Sequence, residues 1–325
     1  MADIALTDID GLTAERIRRR RSAMDQHFCR RGQTMKRLMS AALISIALLA
    51  GSSYEKDQVS ADGVKIDKMS PLRKLVPDVQ LEAAAAQQYT GLKTQARQKG
   101  MLVAETDPGV QRLRAIAKRI IPHAERWNER AEKWQWEVNL IAAQDVNAFC
   151  MPGGKIAFFS GLVDKLKLTD DEIAIVMGHE IAHALREHGR ARVAKGALLQ
   201  LGAALGSAIL GLGDTGQVVV GQGAQLALLK FSRDDETEAD IVGLDIVARA
   251  GYDPRAGIAL WKKMGMLNKG APPQWLSTHP AGKNRIAQMQ KHLPDVMPLF
   301  AKAKGADVRK LPPYQSNVQG IAPVK

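Results

Sequence analysis

"VMGHEIAHALREH", residues 176–188, is the stretch on which the reading of this chain turns. It places His179, Glu180 and His183 in a mostly apolar run, and it holds three of the seven histidines of the whole chain. Residues four apart lie on one face of a helix, so His179 and His183 can aim their rings at one cation, as zinc prefers. Glu180, beside the first histidine, is placed to reach a water on that metal rather than the metal itself. Zinc lowers the pKa of such a water to about 7, and a neighbouring carboxylate can take its proton as it attacks a carbonyl. No charge lies between Ile173 and Gly178, and Ile181, Ala182, Ala184 and Leu185 are uncharged as well. A carboxylate and two imidazoles buried there are costly without a partner. The plain alternative is a pair of hydrogen-bonded core histidines.

Zinc needs a third protein ligand and an open position. His188 follows His179 by nine residues, about 180° around a continuous helix, and so reads as a surface or helix-terminus residue. A histidine-extended motif would put glycine and histidine three and six residues after His183, where Arg186 and Gly189 stand instead. The stronger candidate lies in "SRDDETEAD", residues 232–240. Glu236 and Asp240 share a helix face. Glu236 suits a metal ligand, and Asp240 suits a hydrogen-bond acceptor for the outer nitrogen of a ligating histidine. An acidic, solvated helix start is the alternative, and it is the reading adopted for Asp234, Asp235 and Glu238.

Around these segments the pattern is mostly helical. Helices are expected at 79–99, at 108–121, from 170 to about 190 behind a Thr169/Glu172 capping box, at 191–211, 216–231 and 234–250, after Asp253-Pro254, and at 277–293. "WEVNLIAAQ" (136–144) and "GKIAFFSGLV" (154–163) read as two strands joined through "DVNAFCMPG". The fold expected is therefore mainly α with a small β-sheet (α+β). A membrane-spanning helix at 197–213 competes with a packed one there. Residues 54–78 read as a linker, and 299–325 as a disordered, basic, proline-punctuated tail.

The leader is distinctive. "RIRRRR" (16–21) and "CRRGQTMKR" (29–37) precede "LMSAALISIALLAG" (38–51), an uncharged apolar run short for a spanning helix and right for a signal-peptide core. Met35 is a candidate true start. Export behind a cleaved signal and tethering by an uncleaved anchor both remain open. "LAGS" (49–52) resembles a lipoprotein signal with serine at the cysteine position, so no lipidation is expected. The chain has 325 residues, 46% hydrophobic and 25% charged, with a formal charge of +12. This balance is globular, and the excess charge is dispersed with few aromatics, so nucleic-acid binding is not expected. Two cysteines, Cys29 and Cys150, build no disulfide framework. The domain reading is a leader over 1–52, a linker and helix over 53–100, a catalytic domain over 101–298 and a tail over 299–325.

"HEIAH" followed by "SRDDETEAD", with "NAFCMPGGKIAFFSGLV" upstream and "STHPAGKNRI" downstream, resembles the gluzincin zinc metallopeptidases of the HtpX and CAAX prenyl protease group. The likeness is strongest to their exported, BepA- and LoiP-like periplasmic branch. It implies a zincin-like fold with the HExxH helix beside an edge strand and one zinc ion per chain. His179, His183 and Glu236 would then be ligands, Glu180 the catalytic base and Asp240 the orienting residue. The resemblance also puts His279 near the metal, either stabilising an oxyanion or occupying zinc's open position; helix capping is the bland role. Asn147 would stand on the strand edging the cleft, where backbone pairing holds an extended substrate, or would be a plain turn residue. Substrates implied are misfolded or unassembled envelope proteins, with envelope assembly machinery as a candidate partner and peripheral or N-terminal membrane association. The location implied is a bacterial periplasm or inner-membrane face. A chaperone or assembly factor with a latent zinc site is the competing function.

Overall fold

The helix carrying the quoted stretch starts at the capping box read from the sequence. Thr169 Oγ1 accepts from the Glu172 amide at 3.3 Å, and Glu172 Oε2 accepts from the Thr169 amide at 2.9 Å. The computed structural model describes residues 63–210, 230–267, 274–280 and 284–325. The leader, the expected helix at 216–231 and part of the competing span at 197–213 therefore lie outside or run beyond the described residues. Among those described, no helix is long and apolar enough to cross a membrane.

Helix α1 (Asp78–Gln98) and helix α2 (Pro108–Ile120) precede a three-stranded sheet of β1 (Glu137–Ile141), β2 (Ala148–Met151) and β3 (Lys155–Phe159). Two strands were expected. The third, β2, lies within the stretch read as their connection, because a four-residue "AFCM" is too short to show an alternation. The order is β1-β3-β2, with β3 parallel to β1 and antiparallel to β2, so β2 forms an edge. Beyond Phe159 the chain turns at once into α3 (Ser160–Lys165), where the second strand was expected to continue.

Then come α4 (Asp170–Leu185), α5 (His188–Leu210), α6 (Arg233–Arg249), α7 (Ala256–Leu267), α8 (Gln274–Thr278) and α9 (Arg285–Lys304). Every residue of α4 from Glu172 to Leu185 is buried, which explains why this helix is apolar on all faces rather than on one stripe. It packs chiefly against α6, α7, α2 and β2. Helix α6 crosses it at a glycine pair: a Cβ on Gly178 would stand 2.6 Å from Val247 Cγ1, and one on Gly243 would stand 3.0 Å from the His179 amide nitrogen. With no side chain at either position, the two backbones approach closely. That approach brings the acidic face of α6 against His179 and His183.

Both ends of the described chain depart from expectation. Val64 and Ile66, in the supposed linker, are buried in the core, and the Val64 amide donates to Asp245 Oδ2 at 3.2 Å. The last helix begins at Arg285, later than 277, and runs to Lys304 through Pro294 and Pro298. The tail beyond it is ordered. Tyr314 and Val324 are buried and pair through their backbones, and the Tyr314 hydroxyl meets Thr169 Oγ1 at 2.9 Å. Average composition mispredicts this tail because a few anchors among many polar residues are enough once a folded surface offers them sites.

The tail also contributes to a buried ion pair. Lys263 Nζ on α7 donates to Glu172 Oε2 at 2.6 Å and to Asn317 Oδ1 of the tail at 2.5 Å. The Lys263 and Glu172 side chains are 2% and 0% exposed, so neither charge has water to fall back on. Lys263→Met should destabilise the protein by about 3–5 kcal/mol, since it leaves the Glu172 carboxylate buried without its cation. Urea unfolding of the two proteins measures this, and a loss below about 1 kcal/mol would place the pair among bonds that water replaces.

Candidate metal centre

His179 and His183 point from α4 into a site that α6, α8 and α9 close. Glu236 and Asp240 come from α6, Trp275 from α8, His279 from the residue just after it, and Arg285 from the first turn of α9. His179, Glu180, His183, Glu236, Asp240, His279 and Arg285 each keep 4% or less of their surface exposed. Buried charges at this density require partners, and each has one.

The ring nitrogens converge. His179 Nε2 lies 3.1 Å from His183 Nε2 and 3.2 Å from His279 Nδ1. Glu236 Oε1 lies 3.4 Å from His183 Nε2 and 3.0 Å from His279 Nδ1, and its Oε2 lies 3.6 Å from His179 Nε2. A tetrahedron of donors at zinc bond lengths has edges of about 3.3–3.4 Å, so these four atoms have the spacing of a single ion's ligands. Charge agrees with geometry. The carboxylates of Glu180, Glu236 and Asp240 face one guanidinium, and a divalent cation neutralises the remainder. The residues therefore fit one zinc ion.

Burial alone would raise the Glu236 carboxyl, yet hydrogen bonds from His183 and His279 hold it far below the usual carboxylate range. Burial drives His183 well below the ordinary imidazole range, which keeps a ring lone pair free for a metal. His279 shifts the other way: burial opposes its charge, but Glu180 and then Glu236 draw it upward.

The outer atoms are held too. Asp240 Oδ1 lies 3.0 Å from His179 Nδ1, the position expected of an orienting carboxylate. Arg285 pins Asp240 through Nε at 2.6 Å and Nη2 at 2.5 Å, and donates from Nη1 to Glu236 Oε2 at 2.6 Å. Its guanidinium lies over Trp261, 4.2 Å from the ring centroid. Glu180 Oε1 accepts from the Trp275 indole at 2.7 Å and stands 3.5 Å from His279 Nε2. Neither Arg285 nor Trp275 was singled out from the sequence, although both flank His279 in "QWLSTHPAGKNR". A cation and an indole close to a metal motif carry no spacing signal of their own.

Two sequence expectations are revised. His188 does stand at a helix terminus, the first residue of α5, but it is not at the surface: it is 5% exposed, with Nδ1 3.0 Å from His183 Nδ1. The expected helix to Arg190 breaks after Leu185, so counting angle around a continuous helix misplaced it. Glu238, read as solvated, pairs with Arg186 and lies 3.6 Å from His188 Nε2. Asn147 is buried just before β2, and its carbonyl accepts from the Phe159 amide at 3.1 Å. That bond ties β2 to β3, and Asn147 is not among the residues lining the cleft.

The cleft opens beside Glu180 and His183. Its walls are Leu81 from α1, Phe149 and Met151 from β2, and Trp134, with Arg190 at one side. Along it runs β2, an edge strand of the sheet among the described residues.

Comparison with known proteins agrees with this geometry. Residues 109–293 match the sequence profile of Peptidase family M48. The chain is 42% identical over 150 residues to the mitochondrial metalloendopeptidase OMA1 of Arabidopsis thaliana, an alignment covering 46% of this chain and 30% of that protein. It is 32% identical over 230 residues to the mitochondrial metalloendopeptidase OMA1 of Danio rerio, covering 66% and 47%. To the beta-barrel assembly-enhancing protease of Yersinia pestis it is 27% identical over 309 residues, covering 85% and 60%. The chain thus has the fold and donor set of a zincin-like metallopeptidase. It belongs to Peptidase family M48. It spans about a third to a half of the length of the first relatives it matches, and they include mitochondrial as well as bacterial proteins. Similarity therefore narrows the chain to the family rather than to its exported branch.

Proposed function

We propose that this protein is a zinc-dependent endopeptidase that cuts extended segments of unfolded or unassembled proteins. The observation that carries the reading is the convergence of His179, His183 and Glu236 beside a Glu180 carboxylate that faces a cleft lined by the edge strand β2. Zinc, when bound there, supplies a Lewis acid that polarises a carbonyl and acidifies water. Glu180 takes the proton of the attacking water and passes it to the leaving amine. The Trp275 indole holds one Glu180 oxygen by donating to it, leaving the other free for that proton. Asp240 and Arg285 keep His179 and Glu236 aimed inward. The edge of β2 receives substrate as an added strand, which selects for extended chain and so for unfolded protein. Asn147 contributes by anchoring that edge to β3 rather than by touching substrate.

The substrates proposed are cell-envelope proteins, with envelope assembly machinery as partner and a periplasmic or inner-membrane-tethered location. The basic, apolar leader supports this, as does the similarity along 85% of the chain to a beta-barrel assembly-enhancing protease.

A second reading has its own observation. His279 Nδ1 stands at ligand distance within the donor cluster, where an open position is needed for water. In that state the enzyme is latent, and the protein acts on clients as a chaperone until the segment carrying His279 withdraws. The test uses the full chain loaded with zinc and incubated with casein. Fragments are expected from the parent or from His279→Ala, lost on chelation and restored by zinc. Intact casein with both proteins, zinc being bound, would overturn the peptidase reading in favour of the chaperone.

A further inference from the structure

The two histidines of α4 have different partners behind them. Behind His179 stands the Asp240 carboxylate, itself fixed by Arg285. Behind His183 stands a second imidazole, that of His188. A ring whose Nε2 offers its lone pair to a metal carries its proton on Nδ1, and that proton needs an acceptor. His183 Nδ1 is buried, and His188 Nδ1 lies 3.0 Å from it.

We propose that His188 is a positioning residue for the metal centre: its unprotonated Nδ1 accepts the His183 Nδ1–H and fixes the tautomer and ring plane of that ligand. His188 then carries its own proton on Nε2, which faces Glu238 Oε1 3.6 Å away. The chain of contacts thus runs Glu238, His188, His183 and the metal. This inference rests on zinc ligation by His183, which the zinc stoichiometry of the parent tests separately.

The fold builds the contact deliberately. Glu187 adopts a left-handed backbone, φ +54°, uncommon for a residue with a side chain. This kink swings His188 back across α4 rather than continuing around it. Strain of this kind persists only where surroundings over-determine it. Here Glu187 is held by Arg73 at 2.7 Å and Arg190 at 3.0 Å, and Arg186 on the other side bonds Glu238 and the Asp67 carbonyl. Phe231 stacks on His183 at 3.9 Å between centroids, closing the remaining face of the ring.

The choice of an imidazole has an electrostatic reason. Three carboxylates and one guanidinium already balance a divalent cation at this site. A further carboxylate behind His183 would add an unpaired buried charge, whereas a neutral imidazole supplies an acceptor without one.

The test compares His188→Asn with His188→Leu in the full chain, by zinc competition against a chromophoric chelator. The Asn amide oxygen takes the place of Nδ1 and can accept; Leu fills space and cannot. Zinc affinity should fall about 10–100-fold in His188→Leu and by no more than about 3-fold in His188→Asn. Unchanged affinity in the Leu variant overturns the proposal. So does an equal loss in both variants, because packing alone then suffices. If the Leu variant does not fold, 15N shifts of the zinc-loaded parent decide: His188 unprotonated at Nδ1 and protonated at Nε2 supports the proposal, and a proton on Nδ1 overturns it.

Discussion

Glu180→Gln should lower kcat/KM on an unfolded protein substrate by about 10²–10⁴-fold, the usual contribution of a positioned general base. The substitution is close to isosteric. Its amide oxygen can still accept from the Trp275 indole, and none of His179, His183 or Glu236 is disturbed. Zinc content should therefore stay at the parental level while fragment release collapses. The loss should appear in kcat more than in KM, since the carboxylate acts on the moving proton and not on the bound chain. Fragment release within about tenfold of the parent, with zinc bound, would remove Glu180 from the role of base and point to water activated without it.

Arg285→Leu carries an expected cost in stability as large as that of Lys263→Met, and one that zinc should reduce. The guanidinium is 3% exposed and serves two carboxylates that are 1% and 3% exposed. Removing it leaves Glu236 and Asp240 buried together without a cation, at a cost of about 3–5 kcal/mol in the zinc-free protein. For a domain of this size that corresponds to roughly 6–20 °C in Tm. Zinc supplies positive charge to Glu236 directly and to Asp240 through His179, so the zinc-loaded variant should lose less than the zinc-free one. Calorimetry with and without zinc measures both losses. Equal losses in the two states would mean that the guanidinium serves packing on Trp261 rather than the charges of the site.

The candidate ligand residues were legible in the sequence because their geometry is local. His179 and His183 are four apart on one helix, as are Glu236 and Asp240, and a helix converts that spacing into a shared face without tertiary help. The capping box of α4 was equally local. Strand β2 was missed because four residues show no period. The docking of residues 63–66 and 305–325 was missed because isolated anchors such as Val64, Tyr314 and Val324 are invisible to averages over polar segments.

The sequence by itself therefore determined the class of chemistry, the two helix faces that bear it and a mainly helical fold with a small sheet. Only the tertiary structure decided how those faces meet. The Gly178–Gly243 crossing brings α6 onto α4, and the Glu187 kink turns His188 inward behind His183. Arg285 and Trp275 arrive from segments with no helical relation to the motif. A spacing rule reaches only as far as one unbroken helix. Burial, charge balance and the second partner of each ligand arise between helices, where sequence distance no longer measures distance in space.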